Sequence, residues 1–143
     1  MKFDKFSIGD NFSTEAITMT KQEIIDFAMK YDPQYFHTDE EMAKSTLFEG
    51  LIASGFHTLS AIWAAWIKMD IVGSDSIAGL GMENVKWKLA VRPNDQLIGK
   101  FTIAVKRKLS DEKRGLITWD VVINNQKEEE VLTFSIAGLI KVV

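Results

Sequence analysis

The sequence lacks cysteine altogether and contains only two histidines and two prolines in 143 residues. The absence of cysteine excludes disulfide bonds, thiolate nucleophiles and thiolate metal ligands. The two histidines show no His-x-x-x-His spacing, so we expect no metal site. The Walker-type phosphate loop, the Gly-x-Gly-x-x-Gly motif and the Gly-x-Ser-x-Gly motif are also absent. The chain therefore carries no sign of the sites that these motifs build.

Excess charge of one sign and long hydrophobic runs are also missing. The formal net charge is −3, and because phosphate binding needs a clustered basic surface, we expect no nucleic-acid partner. Polar residues interrupt the longest apolar stretch, residues 51–67, which is too short and too polar to cross a bilayer. The N-terminus, MKFDKFSIGD, lacks the apolar region of a signal peptide. We expect a soluble, cytoplasmic protein without membrane contact.

What the chain does contain is typical of one globular domain over residues 1–143. Hydrophobic residues make up 46% of the sequence and charged residues 26%. A chain of this length can bury about two-thirds of its unfolded surface without a disulfide or metal. The first half is helical in pattern and the second half is strand-like, which predicts an α+β fold.

Three helices are predicted in the first half. Thr20-Lys-Gln-Glu23 is a capping-box pattern, and the helix that it begins should run to about Lys30. Pro33 disfavours helical geometry at the preceding residue, so the chain should turn there. A short helix is expected near Thr38 or Asp39, and a long one from about Ser54 to Met69. The long helix is apolar almost all the way round, which predicts that it is buried.

The second half alternates apolar and polar residues with a period of two, as strands with one buried face do. The apolar positions fall into four groups: Val85, Trp87, Leu89 and Val91; Phe101, Ile103 and Val105; Ile117, Trp119, Val121 and Ile123; Leu132, Phe134, Ile136 and Ile140. Turn-forming residues separate the groups at 92–95, 110–115 and 124–127. Such short connections predict antiparallel neighbours. An antiparallel β-sheet wrapped around a long central helix is the hotdog fold.

Asp32 and His37 are the first candidates for chemistry. Histidine can give or take a proton near neutral pH, and a nearby carboxylate can orient the ring or share a water molecule with it. Pro33 stiffens the loop between them, and Tyr35 and Phe36 could supply apolar walls for a substrate. The structural alternative is an aspartate that caps a turn and a half-buried histidine without a catalytic role.

A second candidate lies in the segment Gly50-Leu-Ile-Ala-Ser-Gly55, which leads into the long helix and could complete a site with Asp32 and His37. A helix N-terminus presents unpaired N–H groups, and glycine lets a substrate oxygen approach the backbone closely. Gly55 is thus a candidate oxyanion donor, although helix–sheet packing could equally require small residues here. Ser54 and His57 flank it as candidate substrate contacts. For His57 we favour a core residue hydrogen-bonded to backbone.

Two further sets of residues have structural interpretations. The tryptophans Trp63, Trp66, Trp87 and Trp119 could line an acyl tunnel, but we expect them in the core. The basic residues Lys86, Lys88, Arg92, Lys106, Arg107 and Lys108 could meet the phosphates of a carrier, but we expect a solvated strand face.

Together these segments resemble the MaoC-like dehydratases, a hotdog family that includes the (R)-specific enoyl-CoA hydratases. The resemblance rests on Phe6-Ser-Ile-Gly-Asp10, Tyr31-Asp-Pro-Gln-Tyr-Phe-His-Thr-Asp39, Phe48-Glu-Gly-Leu-Ile-Ala-Ser-Gly-Phe-His-Thr58 and Val91-Arg-Pro-Asn-Asp95. The family motif is Asp-x-Asn-Pro-Leu-His. Asp32 and His37 keep its first and last positions, whereas Gln34-Tyr35 replaces Asn-Pro, and Ser54 replaces the histidine that usually precedes the glycine.

The resemblance implies a hydro-lyase that adds water to a 2-enoyl thioester or removes it from a 3-hydroxyacyl thioester. Asp32 and His37 would be the acid/base pair, and the Gly55 N–H would bind the thioester oxygen. It implies no metal or redox cofactor, coenzyme A or carrier-bound pantetheine as part of the substrate, and a homodimer or higher oligomer. A hotdog thioesterase and a non-catalytic acyl-binding domain are the alternatives, and a nucleic-acid-binding module that uses the basic surface is a distant third.

Overall fold

The fold is built on one antiparallel sheet, seen in a computed structural model that describes all 143 residues. The strands are β1 (Asn11–Ser13), β2 (Ile17–Thr18), β3 (Ser76–Trp87), β4 (Gln96–Lys108), β5 (Arg114–Asn124) and β6 (Glu130–Lys141). The sheet order is β1-β4-β5-β6-β3, and β2 pairs with β4 off this path. Every pairing in it is antiparallel.

Four α-helices precede the long strands. They are α1 (Lys21–Tyr31), α2 (Tyr35–Thr38), α3 (Glu40–Ala43) and α4 (Gly55–Lys68). The capping box is formed as predicted, because Thr20 accepts the N–H of Glu23 and donates to its carboxylate. Asp39 caps α3 in the same way, accepting the amides of the next turn. None of these helices is long and apolar enough to span a bilayer.

The core lies between α4 and the concave face of the sheet. Trp66 of α4 stacks on Phe101 at 4.2 Å between ring centroids and meets Trp119 edge-on at 4.8 Å. Ile62, one turn earlier in the helix, is fully buried beside them. The sheet thus curves around the long helix, which confirms the predicted α+β hotdog fold.

The structure corrects three expectations about burial and strand extent. The helix α4 is not buried all round: Phe56 and Ile67 are more than half exposed, because the sheet of this chain covers one side only. Trp87 and Leu89 do not face inward, since each is about half exposed, and β3 ends at Trp87, before the predicted strand positions Leu89 and Val91. This strand also begins at Ser76, well before the predicted start, and the short strands β1 and β2 were not predicted.

Candidate active site

Asp32 lies where α1 ends, and two neighbouring side chains hold its two carboxylate oxygens. Gln34 Nε2 donates to Oδ1 at 2.8 Å, and Ser54 Oγ donates to Oδ2 at 2.7 Å. Burial raises the pKa of the Asp32 carboxyl. The two hydrogen bonds and the charge of His37 lower the pKa, and together they outweigh burial, so the net shift is downward. The carboxyl is therefore ionised at neutral pH.

His37 is buried on α2, and its ring is fixed between two oxygen atoms. Its Nδ1 lies 2.7 Å from the carbonyl oxygen of Ile52. Since a carbonyl only accepts, Nδ1 must carry a hydrogen, and Nε2 is left to face Asp32. The distance from His37 Nε2 to Asp32 Oδ2 is 3.4 Å. Phe36 packs edge-on against the ring at 4.5 Å. The predicted pair is thus brought together, five residues apart, by the short helix α2.

The first residue of α4 is Gly55, and its N–H makes no hydrogen bond within the chain. The indole of Trp87 packs against it so closely that a Cβ at this position would lie less than 3.0 Å from the ring. Glycine is required here for that close approach. A free amide at the positive end of a helix dipole is a donor site for a developing negative charge.

His37 and Gly55 line the same cavity, which has a volume of about 230 Å³. Most of its other lining residues are apolar: Phe48, Ile52, Ala53, Trp87, Leu89, Ala90, Val91 and Val131. Asp32 is not among the lining residues, but its Oδ2 lies beside His37 Nε2, which is part of the lining residue His37. A titratable ring and a free amide on an apolar cavity suit a substrate that is mainly hydrocarbon around one polar reacting group. No three acidic or histidine side chains cluster as metal ligands would.

The family model of the MaoC-like domain matches residues 4–125 of this sequence. The chain belongs to this family. It is similar over 141 residues, at 38% identity and covering 99% of both chains, to the uncharacterised protein YdeM of Bacillus subtilis. The match extends along nearly the whole of both proteins.

Two solved structures share the fold closely. One is a protein from Archaeoglobus fulgidus described as a monoamine oxidase regulatory protein, with a TM-score of 0.92, 29% identity, and coverage of 100% of this chain and 95% of that one. The other is a MaoC-like dehydratase from Rhodospirillum rubrum, with a TM-score of 0.92, 27% identity, and coverage of 99% and 97%.

Other predicted site residues of this MaoC-like domain lie apart from the cavity. Tyr35 is about half exposed and packs edge-on against Phe36, and neither lines the cavity. Ser54 is fully buried, and its hydroxyl donates a hydrogen bond to the Asp32 carboxylate. Their roles as substrate contacts stay predictions.

His57 does not line the cavity, and its ring stacks on Phe27 with 4.7 Å between the ring centroids. The prediction that His57 is hydrogen-bonded to backbone is wrong, because its Nδ1 is buried without a hydrogen-bond partner. Burial lowers the pKa of this histidine, and the charge of Glu23 opposes that shift in part. The side chain is a core residue, as favoured, but one held by ring stacking.

The structure also separates the tryptophans. Trp63, Trp66 and Trp119 line an apolar cavity of about 140 Å³ between α4 and the sheet, whereas Trp87 borders the candidate active site. Five of the six basic residues are exposed, as expected; the sixth, Lys106, donates to the carbonyl of Phe6. Sequence patterns missed the contributions of Trp87 and Gln34, because both depend on three-dimensional contacts.

Proposed function

We propose that the chain is an acyl-thioester hydratase, which reversibly adds water to a 2-enoyl thioester to give a 3-hydroxyacyl thioester. One observation carries the proposal: His37 Nε2 lies 3.4 Å from Asp32 Oδ2, and His37 shares a cavity with the free N–H of Gly55. Membership of the MaoC-like family and likeness to a protein described as a dehydratase support the same reaction class.

The acid/base pair would hold the reacting water. Water donates one hydrogen to the pair while its oxygen bonds to the β-carbon of the enoyl group, and the π electrons move toward the thioester carbonyl. The pair then delivers a proton to the α-carbon, so that one proton is taken and one returned. Positioned proton transfer of this kind contributes about 10²- to 10⁴-fold in rate. Because closely coupled groups titrate together, Asp32 and His37 would act as one acid/base pair.

The Gly55 N–H would stabilise the enolate oxygen that forms between these two steps. Losing one such donor costs about 3 kcal/mol of transition-state stabilisation. The apolar lining would hold the alkyl part of the acyl group, and coenzyme A or pantetheine would be part of the substrate. No step of the proposed reaction requires a metal or redox cofactor.

We further propose that two copies pair through β3. This strand is at the edge of the sheet, and all of its residues except Val85 are exposed. They include the large apolar side chains Ile77, Leu80 and Met82. An open edge of twelve residues with apolar side chains is a template for pairing with another strand, and a second copy supplies the same strand.

The test is the change in enoyl absorbance with crotonyl, longer enoyl and branched enoyl thioesters. Asp32→Asn and His37→Ala should each lower turnover by at least about 100-fold while the fold persists. Asp120→Asn is the matched control, because Asp120 accepts a serine hydroxyl at 2.7 Å and does not line the cavity. Wild-type turnover in either site variant would contradict the proposed roles.

The same panel separates the two alternatives. A thioesterase would release free thiol from saturated and unsaturated thioesters alike, without an intermediate loss of the double bond. A non-catalytic acyl-binding domain would bind the thioesters, and Asp32→Asn and His37→Ala would leave that binding unchanged. Either result, in the absence of hydration, would overturn the hydratase proposal.

A further inference from the structure

Ser54 connects two parts of the site that are distant in the sequence. It is the N-cap of α4, where its Oγ accepts the N–H of Phe56 at 3.3 Å. The same Oγ donates its hydrogen to Asp32 Oδ2 at 2.7 Å, across 22 residues of sequence. The residue has no exposed surface. One hydroxyl therefore joins the first turn of the long helix to the carboxylate.

This geometry directs the Ser54 hydroxyl to Asp32 rather than into the cavity. It does not line the cavity, and a hydroxyl has one hydrogen, which is already used on Asp32. The oxygen that it contacts is the one that faces His37, whereas Gln34 holds the other oxygen. The Ser54 hydroxyl thus contacts the carboxylate oxygen that faces His37.

We propose that Ser54 is a positioning residue for the hydration reaction: it fixes Asp32 Oδ2 opposite His37 Nε2 and ties that oxygen to the helix turn that presents the Gly55 N–H. This inference rests on the proposed function. It assigns a use to the serine that stands where the family usually has histidine.

Two consequences follow if the hydroxyl is removed. The carboxylate loses a donor that favours its ionised form, so the acid limb of the rate profile should move to higher pH. Its Oδ2 is also free to rotate away from His37, so turnover should fall. Hydrogen bonds to charged groups stabilise enough to predict a loss of about 10- to 100-fold.

The charged surroundings of Asp32 make this pH readout simple to interpret. His37 on α2 is the titratable group that acts on the carboxylate through its charge. On α4, the other histidine, His57, packs against Phe27 instead. No charged residue of α1 contributes to the pKa shift of Asp32. A moved acid limb in a Ser54 variant would therefore report the lost hydrogen bond.

The experiment compares Ser54→Ala with Ser54→Gly, each in the full-length chain, against the wild type. Both lose the hydroxyl, but glycine at an N-cap costs only a few tenths of a kcal/mol whereas alanine typically costs about 1 kcal/mol. A capping role alone predicts that the glycine variant is nearly normal. The positioning role predicts the same loss of turnover and the same acid-limb shift in both. Ser135→Ala is the matched control, because Ser135 donates to Asp120 at 2.7 Å on the outer face of the sheet.

A second readout does not depend on activity: the ¹³C-detected titration of the Asp32 carboxyl. We expect its midpoint to rise in both Ser54 variants and to stay unchanged in Ser135→Ala. An unchanged midpoint and acid limb, with only the melting temperature lowered, would overturn the inference and leave the hydratase proposal intact. If the wild type hydrates no thioester, the proposed function fails and the inference fails with it, whatever the titration shows about the hydrogen bond.

Discussion

Gly55→Ala tests whether the close approach at the start of α4 is needed for function. A Cβ at this position would lie 2.5 Å from Cδ1 of the Trp87 indole, and the two neighbouring ring atoms would be closer still. Ordinary van der Waals contact begins at 3.4 Å, so the indole would have to move back by about 0.9 Å or more. Because Trp87 is half exposed and at the end of β3, it can make that movement.

The expected cost therefore falls on activity more than on stability. Alanine is favoured over glycine in helices by up to about 1 kcal/mol, which offsets part of the cost of displacing the indole. We expect the free energy of unfolding to stay within about 1 kcal/mol of the wild type. The added methyl group and the displaced ring would crowd the Gly55 N–H, and a lost oxyanion donor lowers kcat by about 10²- to 10³-fold.

Urea unfolding and the enoyl absorbance assay measure the two effects separately. Gly50→Ala is the control, since a Cβ there would meet Arg92 at an ordinary 3.7 Å. It should leave both quantities near the wild type. If Gly55→Ala keeps wild-type kcat while Trp87 is displaced, the amide is not the oxyanion donor and the reasoning is refuted.

Two further predictions concern stability and assembly. His57→Phe keeps the ring stack on Phe27 and removes a buried imidazole whose pKa is lowered by burial. At low pH the unfolded wild-type chain binds a proton at His57 more readily than the folded chain does. The free energy of unfolding of the wild type should therefore fall as the pH drops below about 6.5. In denaturant unfolding between pH 7 and pH 5, the variant should lose less of its free energy of unfolding than the wild type. Lysine at both Ile77 and Leu80 should block edge pairing of β3, so that sedimentation reports one copy where the wild type gives two; an unchanged sedimentation coefficient would place the interface elsewhere.

The sequence allowed the regular elements to be predicted where local chemistry decides them. The capping box at Thr20 and the acidic cap at Asp39 begin α1 and α3, because side-chain oxygens satisfy the first amides of a helix. Strand β5 and most of strand β4 alternate between buried residues and residues that are exposed or half-buried, as expected of strands with one face on a core.

The errors lie where tertiary contacts override local pattern. The segment that begins β3 contains Gly79 and Gly81 and has irregular register, so it shows no alternation to read. Strands β1 and β2 have three and two residues, too few for any period. The apolar circumference of α4 predicted complete burial, but one sheet covers only one side of a helix.

The candidate site was predictable as residue types and spacing, but not as a set of contacts. Asp32 and His37 could be paired because a five-residue separation across a proline turn keeps them close. The hydroxyl of Ser54 reaches Asp32 across 22 residues, and no local pattern encodes that distance. The same holds for the indole of Trp87 against Gly55, since the two lie 32 positions apart in the sequence.

One buried segment, residues 51–54, explains how these distant groups keep a common geometry. Its backbone is held on both sides: the Ile52 N–H donates to the carbonyl of Phe36, and the Ala53 N–H donates to that of Val91. From it, the Ile52 carbonyl fixes the His37 ring, and the side chain of Ser54 fixes Asp32. The next amide is the free donor at the start of α4. Because the His37 ring, the Asp32 carboxylate and the Gly55 amide are all bonded to one stretch of backbone, a shift of that stretch would act on all three groups at once.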